Sequence, residues 1–190
     1  LTLASASPQR RAILAGAGFD FTVAPAGVAE LAEGEPRAVA AENARRKALA
    51  IPGELVLGAD TLVTVDGAIL GKPRDAEQAA QYVGRLAGRT HTVVGGIALA
   101  SGGAIVAQAV EETAVTFRAL DAAEVAAYVA LDEWRGRAGG YAIQGRGALL
   151  VRRIAGDYLN VVGLPLARLL DVIPHRNLQQ ILESGAPLGS

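Results

Sequence analysis

Between Leu55 and Leu70 the chain reads as strand, turn, strand, because Asp66-Gly67 interrupts an otherwise apolar run. Both positions of that dipeptide tolerate positive φ, which a two-residue hairpin turn demands. The hairpin commits the chain to a sheet, and it also carries chemistry. Its first strand delivers the carboxylate of Asp60, in Gly58-Ala59-Asp60-Thr61, and the return brings the ammonium of Lys72, in Gly71-Lys72-Pro73-Arg74-Asp75. A carboxylate and an ammonium at one end of a sheet suit metal-assisted attack on a phosphate ester. An Asp that ends a strand also serves simply as a turn former, so the pair alone does not decide the matter.

The rest of the chain alternates strands and helices. Leu1–Ser5 predicts a strand, and Ser7-Pro8 starts a helix with a hydroxyl N-cap and Pro in the first turn, ending at Gly18. Phe19–Val23 reads as a second strand and Pro36–Ala50 as an alanine-rich helix, with Asn43 and Lys47 one turn apart on one face. Asp75 and Asp121 each open a capping box, for helices to about Leu86 and Leu131. Arg89–Ala100 and Ala104–Phe117 form a hairpin around Ser101-Gly102-Gly103. Gly136–Gly147 is dense in glycine, a mark of close backbone approach or unusual dihedrals. Leu149–Ile154 and Leu159–Val162 read as strands, and Pro165 opens a helix through Ile173. This pattern, without strict βαβ regularity, predicts an α/β fold with a mixed sheet flanked by helices. Residues 1–173 make a single domain and 174–190 a fraying C-terminal tail.

Composition narrows the function. With 51% hydrophobic and 19% charged residues the chain is globular, and a net charge of −1 offers no electrostatic track for nucleic acid or an anionic membrane. Only 4% of the residues are aromatic, too few for a base-stacking platform. Cysteine is absent and the histidines are two, His91 and His175, so a metal would rest on carboxylates and phosphate oxygens, as magnesium and manganese do. No apolar run approaches the ~20 residues of a spanning helix, and no signal peptide is legible. A cytoplasmic protein is the expectation.

Several segments carry polar groups suited to a nucleotide. Ser5-Ala6-Ser7-Pro8-Gln9-Arg10 sets hydroxyls, backbone N–H groups and a guanidinium at a helix start, where anions bind. Lys47 adds a cation. Gly139-Gly140-Tyr141-Ala142-Ile143-Gln144-Gly145 offers an amide and bare backbone. Each has a plainer structural use. In this order, and with Gly88-Arg89-Thr90-His91-Thr92-Val93 and Asn160-Val161-Val162-Gly163-Leu164-Pro165-Leu166, they resemble the Maf family of nucleoside triphosphate pyrophosphatases, also described as septum-formation inhibitors.

The resemblance implies hydrolysis between the α- and β-phosphates, on an α/β fold with a curved mixed sheet and a cleft between two lobes, usually as a homodimer. It implies Asp60 as general base, with Lys47 and Lys72 in the catalytic machinery. Ser5, Arg10, Lys47 and Lys72 would hold the triphosphate. Glu30 and Asp60 would serve a divalent cation, Mg2+, Mn2+ or Co2+. Base preference would rest on Gln9, Thr61 and Gln144. Thr61 and Gln144 match the branch that prefers dTTP and UTP, whereas Gln9 stands where that branch usually has the first of two arginines. The alternatives are a 7-methyl-GTP- or CTP-preferring enzyme of the same family, or a non-catalytic regulator of cell division.

Overall fold

A computed structural model describes residues 1–174 of the 190-residue chain. Apart from Pro174, the expected C-terminal tail lies outside the described residues. The elements run β1 (Thr2–Leu3), α1 (Pro8–Gly16), β2 (Thr22–Val23), α2 (Pro36–Leu49), β3 (Val56–Val65), β4 (Ala68–Leu70), α3 (Ala76–Leu86), β5 (Thr90–Ser101), β6 (Ala104–Phe117), α4 (Ala122–Val129), β7 (Val151–Ala155), α5 (Tyr158–Val162) and α6 (Leu166–Val172). The sheet order is β2-β1-β3-β5-β6-β7, with β4 also on β3. β1 is parallel to β2 and to β3, and every other pairing is antiparallel. The fold is mixed α/β, as the sequence predicts.

One property of this sheet makes a cleft. β5 pairs with β3 along one whole edge, from Val56 to Thr64. The other edge of β3 is shared: β1 takes Val56 and Leu57, and β4 takes Val63 to Val65. Between them, from Gly58 to Leu62, no strand among the described residues covers this edge of β3. Asp60 lies in the centre of that gap, Ser5 follows β1 on one side of it, and Lys72 follows β4 on the other. Asp60 is mid-strand, opposite Gly96 of β5, and does not serve as the strand-ending turn former that the plainer reading allowed.

Alternation along β3 separates two cores. Leu57 and Ala59 face α1 and α6, joining Leu3, Leu14, Ile97, Leu164 and Leu169. Gly58, Asp60 and Leu62 face α2, where Leu62 packs with Val39, Ala40 and Val94. A third cluster around Val83, Leu86, Val115 and Phe117 closes the far end of the sheet under α3. α2 sits unusually near the sheet because Gly58 and Gly96 have no side chains there. A Cβ on Gly58 would strike the Ala44 carbonyl, and one on Gly96 the Ala40 carbonyl. That close approach brings side chains of α2 within reach of β3.

Both hairpin turns form as the sequence predicts. Asp66 and Gly67 have φ of 53° and 73°, and Gly102 and Gly103 have 58° and 80°. The Asp121 capping box is complete, although its helix stops at Val129 rather than Leu131. At Asp75 only half forms: Asp75 accepts from the Gln78 N–H, while the Gln78 side chain passes the cap and accepts from the Arg74 N–H at 3.0 Å. The first helix ends at Gly16 rather than Gly18, and the first two strands shrink to two residues each.

The largest correction concerns Leu159–Val162, expected as a strand and found inside α5. Asp157 caps it, accepting from the Leu159 N–H at 2.7 Å, and Gly163 at φ 142° ends it. A short apolar run does not distinguish the two states by periodicity. Similarly, Leu149 and Leu150 belong to a 3-10 turn, Gly145–Leu150, and the strand begins at Val151.

Candidate active site

The gap in the sheet opens into a cleft of about 1170 Å3. Its floor is Asp60 to Val63, one wall is Ser5 to Arg10, and the other is Tyr141 to Gly145 with part of the preceding loop. Every sequence-predicted site residue lines it: Ser5, Gln9, Arg10, Glu30, Lys47, Asp60, Thr61, Lys72 and Gln144.

Asp60 is 5% exposed, which for a carboxylate demands partners on both oxygens. Oδ1 receives Lys47 Nζ at 2.7 Å, and Oδ2 receives Asn43 Nδ2 at 2.9 Å. Both donors come from α2, one turn apart, as the helical spacing requires. Lys47 also donates to the Ala59 carbonyl at 3.2 Å, an acceptor left open by the gap between β1 and β4. Asn43 has a second task. It pairs with the backbone of Leu31, accepting from its N–H at 2.7 Å and donating to its carbonyl at 3.0 Å. This holds the segment that carries Glu30 against the helix.

Glu30 completes the cluster. Its Oε1 lies 2.6 Å from Lys47 Nζ and its Oε2 3.7 Å from Lys72 Nζ. Burial opposes its ionised form, but the Lys47 hydrogen bond and the charges of Lys47, Lys72 and Arg10 outweigh that and hold its pKa below the usual value. The carboxylates of Asp60 and Glu30 therefore converge on one cationic centre. Two carboxylates in one cleft would suit a magnesium-like ion, which takes one or two protein carboxylates and completes its shell with other oxygens. Among the described residues no cluster of three or more metal-binding side chains is present.

Arg10 is the other buried cation, with a pKa pulled down by desolvation against the opposing charges of Asp60 and Glu30. Among the described residues, each of its three guanidinium nitrogens makes one hydrogen bond, which leaves two N–H groups free for a ligand. Nε donates to the Gly163 carbonyl at 2.9 Å, Nη1 to Ser5 Oγ at 2.9 Å and Nη2 to Thr61 Oγ1 at 3.1 Å. Thr61 in turn donates to the Gly163 carbonyl at 3.3 Å. Thr61, expected as a specificity residue, bonds Arg10 and so helps to position it. Gln9 Oε1 accepts from Ser7 Oγ at 3.2 Å, beside the helix cap.

The Gln144 wall is held from behind. Tyr141 buries its ring, and its hydroxyl meets His91 Nε2 at 2.8 Å; Phe117 packs edge-on to both rings. Burial lowers the His91 pKa to about 4, so the imidazole is neutral, and burial raises that of Tyr141. On either side of Gln144, the Ala142 N–H donates to Tyr128 Oη, and Glu133 accepts from the N–H groups of Arg146 and Gly147. Gln144 itself is exposed to the cleft.

Asn43 and the Gly163 carbonyl were not singled out as site groups by sequence reasoning. Asn43 had a signal, its place one turn before Lys47. A backbone carbonyl has none.

The family of Maf-like proteins matches residues 1–176. Among curated relatives, the dTTP/UTP pyrophosphatase of Pyrococcus furiosus is 45% identical over 179 residues, covering 91% of this chain and 93% of that protein. The dTTP/UTP pyrophosphatase of Symbiobacterium thermophilum is 44% identical over 195 residues, covering 99% and 95%. That of Moorella thermoacetica is 46% identical over 182 residues, covering 91% and 93%.

Proposed function

The chain belongs to the Maf-like protein family, and from that premise we propose that it is a nucleoside triphosphate pyrophosphatase acting on dTTP and UTP. The observation that carries this reading is Asp60, buried at the floor of a cationic cleft and fixed on both oxygens by Asn43 and Lys47.

Water attacks the α-phosphorus, its proton passes to the Asp60 carboxylate, and the bond from that phosphorus to the oxygen bridging to the β-phosphorus breaks. That oxygen keeps the electron pair, so the products are a nucleoside monophosphate and pyrophosphate. Carboxylates in general are weak bases for free water. A divalent cation, held by Glu30 and Asp60, would lower the pKa of bound water and offset phosphate charge. The protein supplies the rest by position. Lys47 bridges the two carboxylates and offsets part of their charge until substrate arrives. Ser5, Arg10, Lys47 and Lys72 bind the triphosphate, and charge growing on the leaving group is met by fixed cations rather than mobile water.

Gln9, Thr61 and Gln144 read the base. Gln9 is uncharged, with both a donor and an acceptor, and widens the pyrimidine range relative to an arginine there. Residues 1–173 act as one catalytic unit, paired as a homodimer in the cytoplasm. Pyrophosphate release from dTTP, UTP, CTP, GTP, 7-methyl-GTP and 5-methyl-UTP, with magnesium, manganese or cobalt, tests the reading. Selective release from dTTP and UTP is expected. A preference for CTP or 7-methyl-GTP would overturn the base assignment, and no release from any of them would overturn the activity.

A further inference from the structure

Five cationic side chains line the cleft: Arg10, Lys47, Lys72, Arg135 and Arg137. Four already have partners. Arg10 and Lys47 are engaged as described, and Lys72 lies near Glu30. Arg135 pairs with Asp132 at 3.0 Å and lies over the Trp134 ring, 4.6 Å from its centroid. Arg137 is different. It is half-buried, its Nε is buried without an acceptor, and it has no carboxylate partner among the described residues. A guanidinium presents its donors in a planar fork, and one whose buried N–H has no protein acceptor beside a cleft is available to solvent or a ligand.

Its position says which part of a ligand. Arg137 donates its backbone N–H to the Trp134 carbonyl at 3.0 Å, and Trp134 is anchored by its indole N–H on the Val129 carbonyl. Two residues on, the Gly139 N–H donates to the Gly71 carbonyl at 3.1 Å. Gly139 has φ 69° and lies so close to Val63 that a Cβ would overlap its side chain. The turn bearing Arg137 is therefore clamped to the loop bearing Lys72, and the two least compensated cations of the cleft stand at its β4 side. Most of the negative charge of a nucleoside triphosphate is on its β- and γ-phosphates.

We propose that Arg137, beside Lys72, binds the β- and γ-phosphates and holds the departing pyrophosphate, a role that rests on the pyrophosphatase reading. The fork of Arg137 takes two phosphate oxygens at once, where Lys72 supplies a point charge.

Titration calorimetry with inorganic pyrophosphate, and separately with dTMP, on the intact protein and on Arg137→Gln and Arg137→Lys tests this. Arg137→Gln should weaken pyrophosphate binding by ~10-fold or more, the usual scale for a lost charge-assisted pair. Arg137→Lys should regain part of it, and neither should change dTMP affinity or Tm. Pyrophosphate affinity within twofold of the original in Arg137→Gln would overturn the proposal. So would equal losses for pyrophosphate and dTMP, or a fall in Tm shared by both variants, which would mark a structural role. Binding is read without turnover. A protein that binds pyrophosphate through Arg137 yet hydrolyses no nucleotide would sink the enzymatic reading and leave the phosphate site standing.

Discussion

Two polar clusters, buried except for Glu30, flank the cleft, and they are built on opposite terms. Asp60, Asn43, Lys47 and Glu30 form a charged one, whose members belong to α2, β3 and the segment before α2. His91, Tyr141 and Phe117 form a neutral one beneath the wall that carries Gln144. In the first, burial is tolerated because each Asp60 oxygen has a donor and the opposite charges meet directly. In the second, burial is tolerated because nothing is ionised. The lesson is that reactive charge is kept by pairing, whereas the rigidity of a wall is kept by neutral packing. A single lost partner should therefore harm the first cluster through charge, and pH should harm the second.

The sharpest break of the charged cluster is Lys47→Met. Removing one member of a buried ion pair typically destabilises by about 3–5 kcal/mol, here because Asp60 and Glu30 would face each other without their shared cation. Denaturant unfolding measures it. The deficit should shrink as pH falls below the carboxylate range, since protonation then relieves the repulsion. A deficit independent of pH would count against the charge argument.

Asp60→Asn tests chemistry and charge in the same cluster. It removes the base, so turnover should fall by ~100-fold or more, and Tm should fall too, less than in Lys47→Met because Glu30 still faces the ammonium. Single-turnover pyrophosphate release reads it, and near-normal rates would move the base elsewhere.

The neutral cluster should respond to acid. The folded pKa of His91, about 4, lies below its ordinary 6.5, so below pH 6.5 the unfolded chain takes up a proton that the folded protein refuses. Stability contributed by neutral His91 is complete above pH 6.5 and declines as pH falls to about 4, by roughly 3 kcal/mol in all at 1.36 kcal/mol per unit. His91→Phe should flatten that slope, measured as unfolding free energy against pH. It should also lower neutral-pH stability, because the Tyr141 hydroxyl loses its partner. An unchanged slope would mean that other groups govern acid unfolding.

As a contrast to both clusters, the exposed Arg37–Glu112 pair, at 2.6 Å between side chains roughly half exposed, should contribute under ~1 kcal/mol in a double-mutant cycle. A larger coupling would show that charge holds α2 to the sheet alongside the glycine contacts at Gly58 and Gly96.

Local chemistry determined much of this molecule from sequence alone. Asp66-Gly67 forces a hairpin because few residues accept its dihedrals, and Ser7-Pro8, Asp75 and Asp121 start helices because their side chains cap nearby N–H groups. The candidate site residues were legible too, as an ordered set of polar motifs, and the cleft does collect them. Tertiary structure decided how they meet. Leu159–Val162 became helical because Asp157 caps it, Gly163 ends it and Asn160 turns into the sheet to bond the Val93 carbonyl. Asp60 became reachable only because β1 and β4 share one edge of β3 and leave its centre open. Asn43 became its partner because glycines at positions 58 and 96 admit the helix backbone. The division has a physical cause. Capping and turn preferences act over a few bonds, whereas an edge left unpaired, a helix seated on bare backbone or a guanidinium without an acceptor exists only once distant segments have packed.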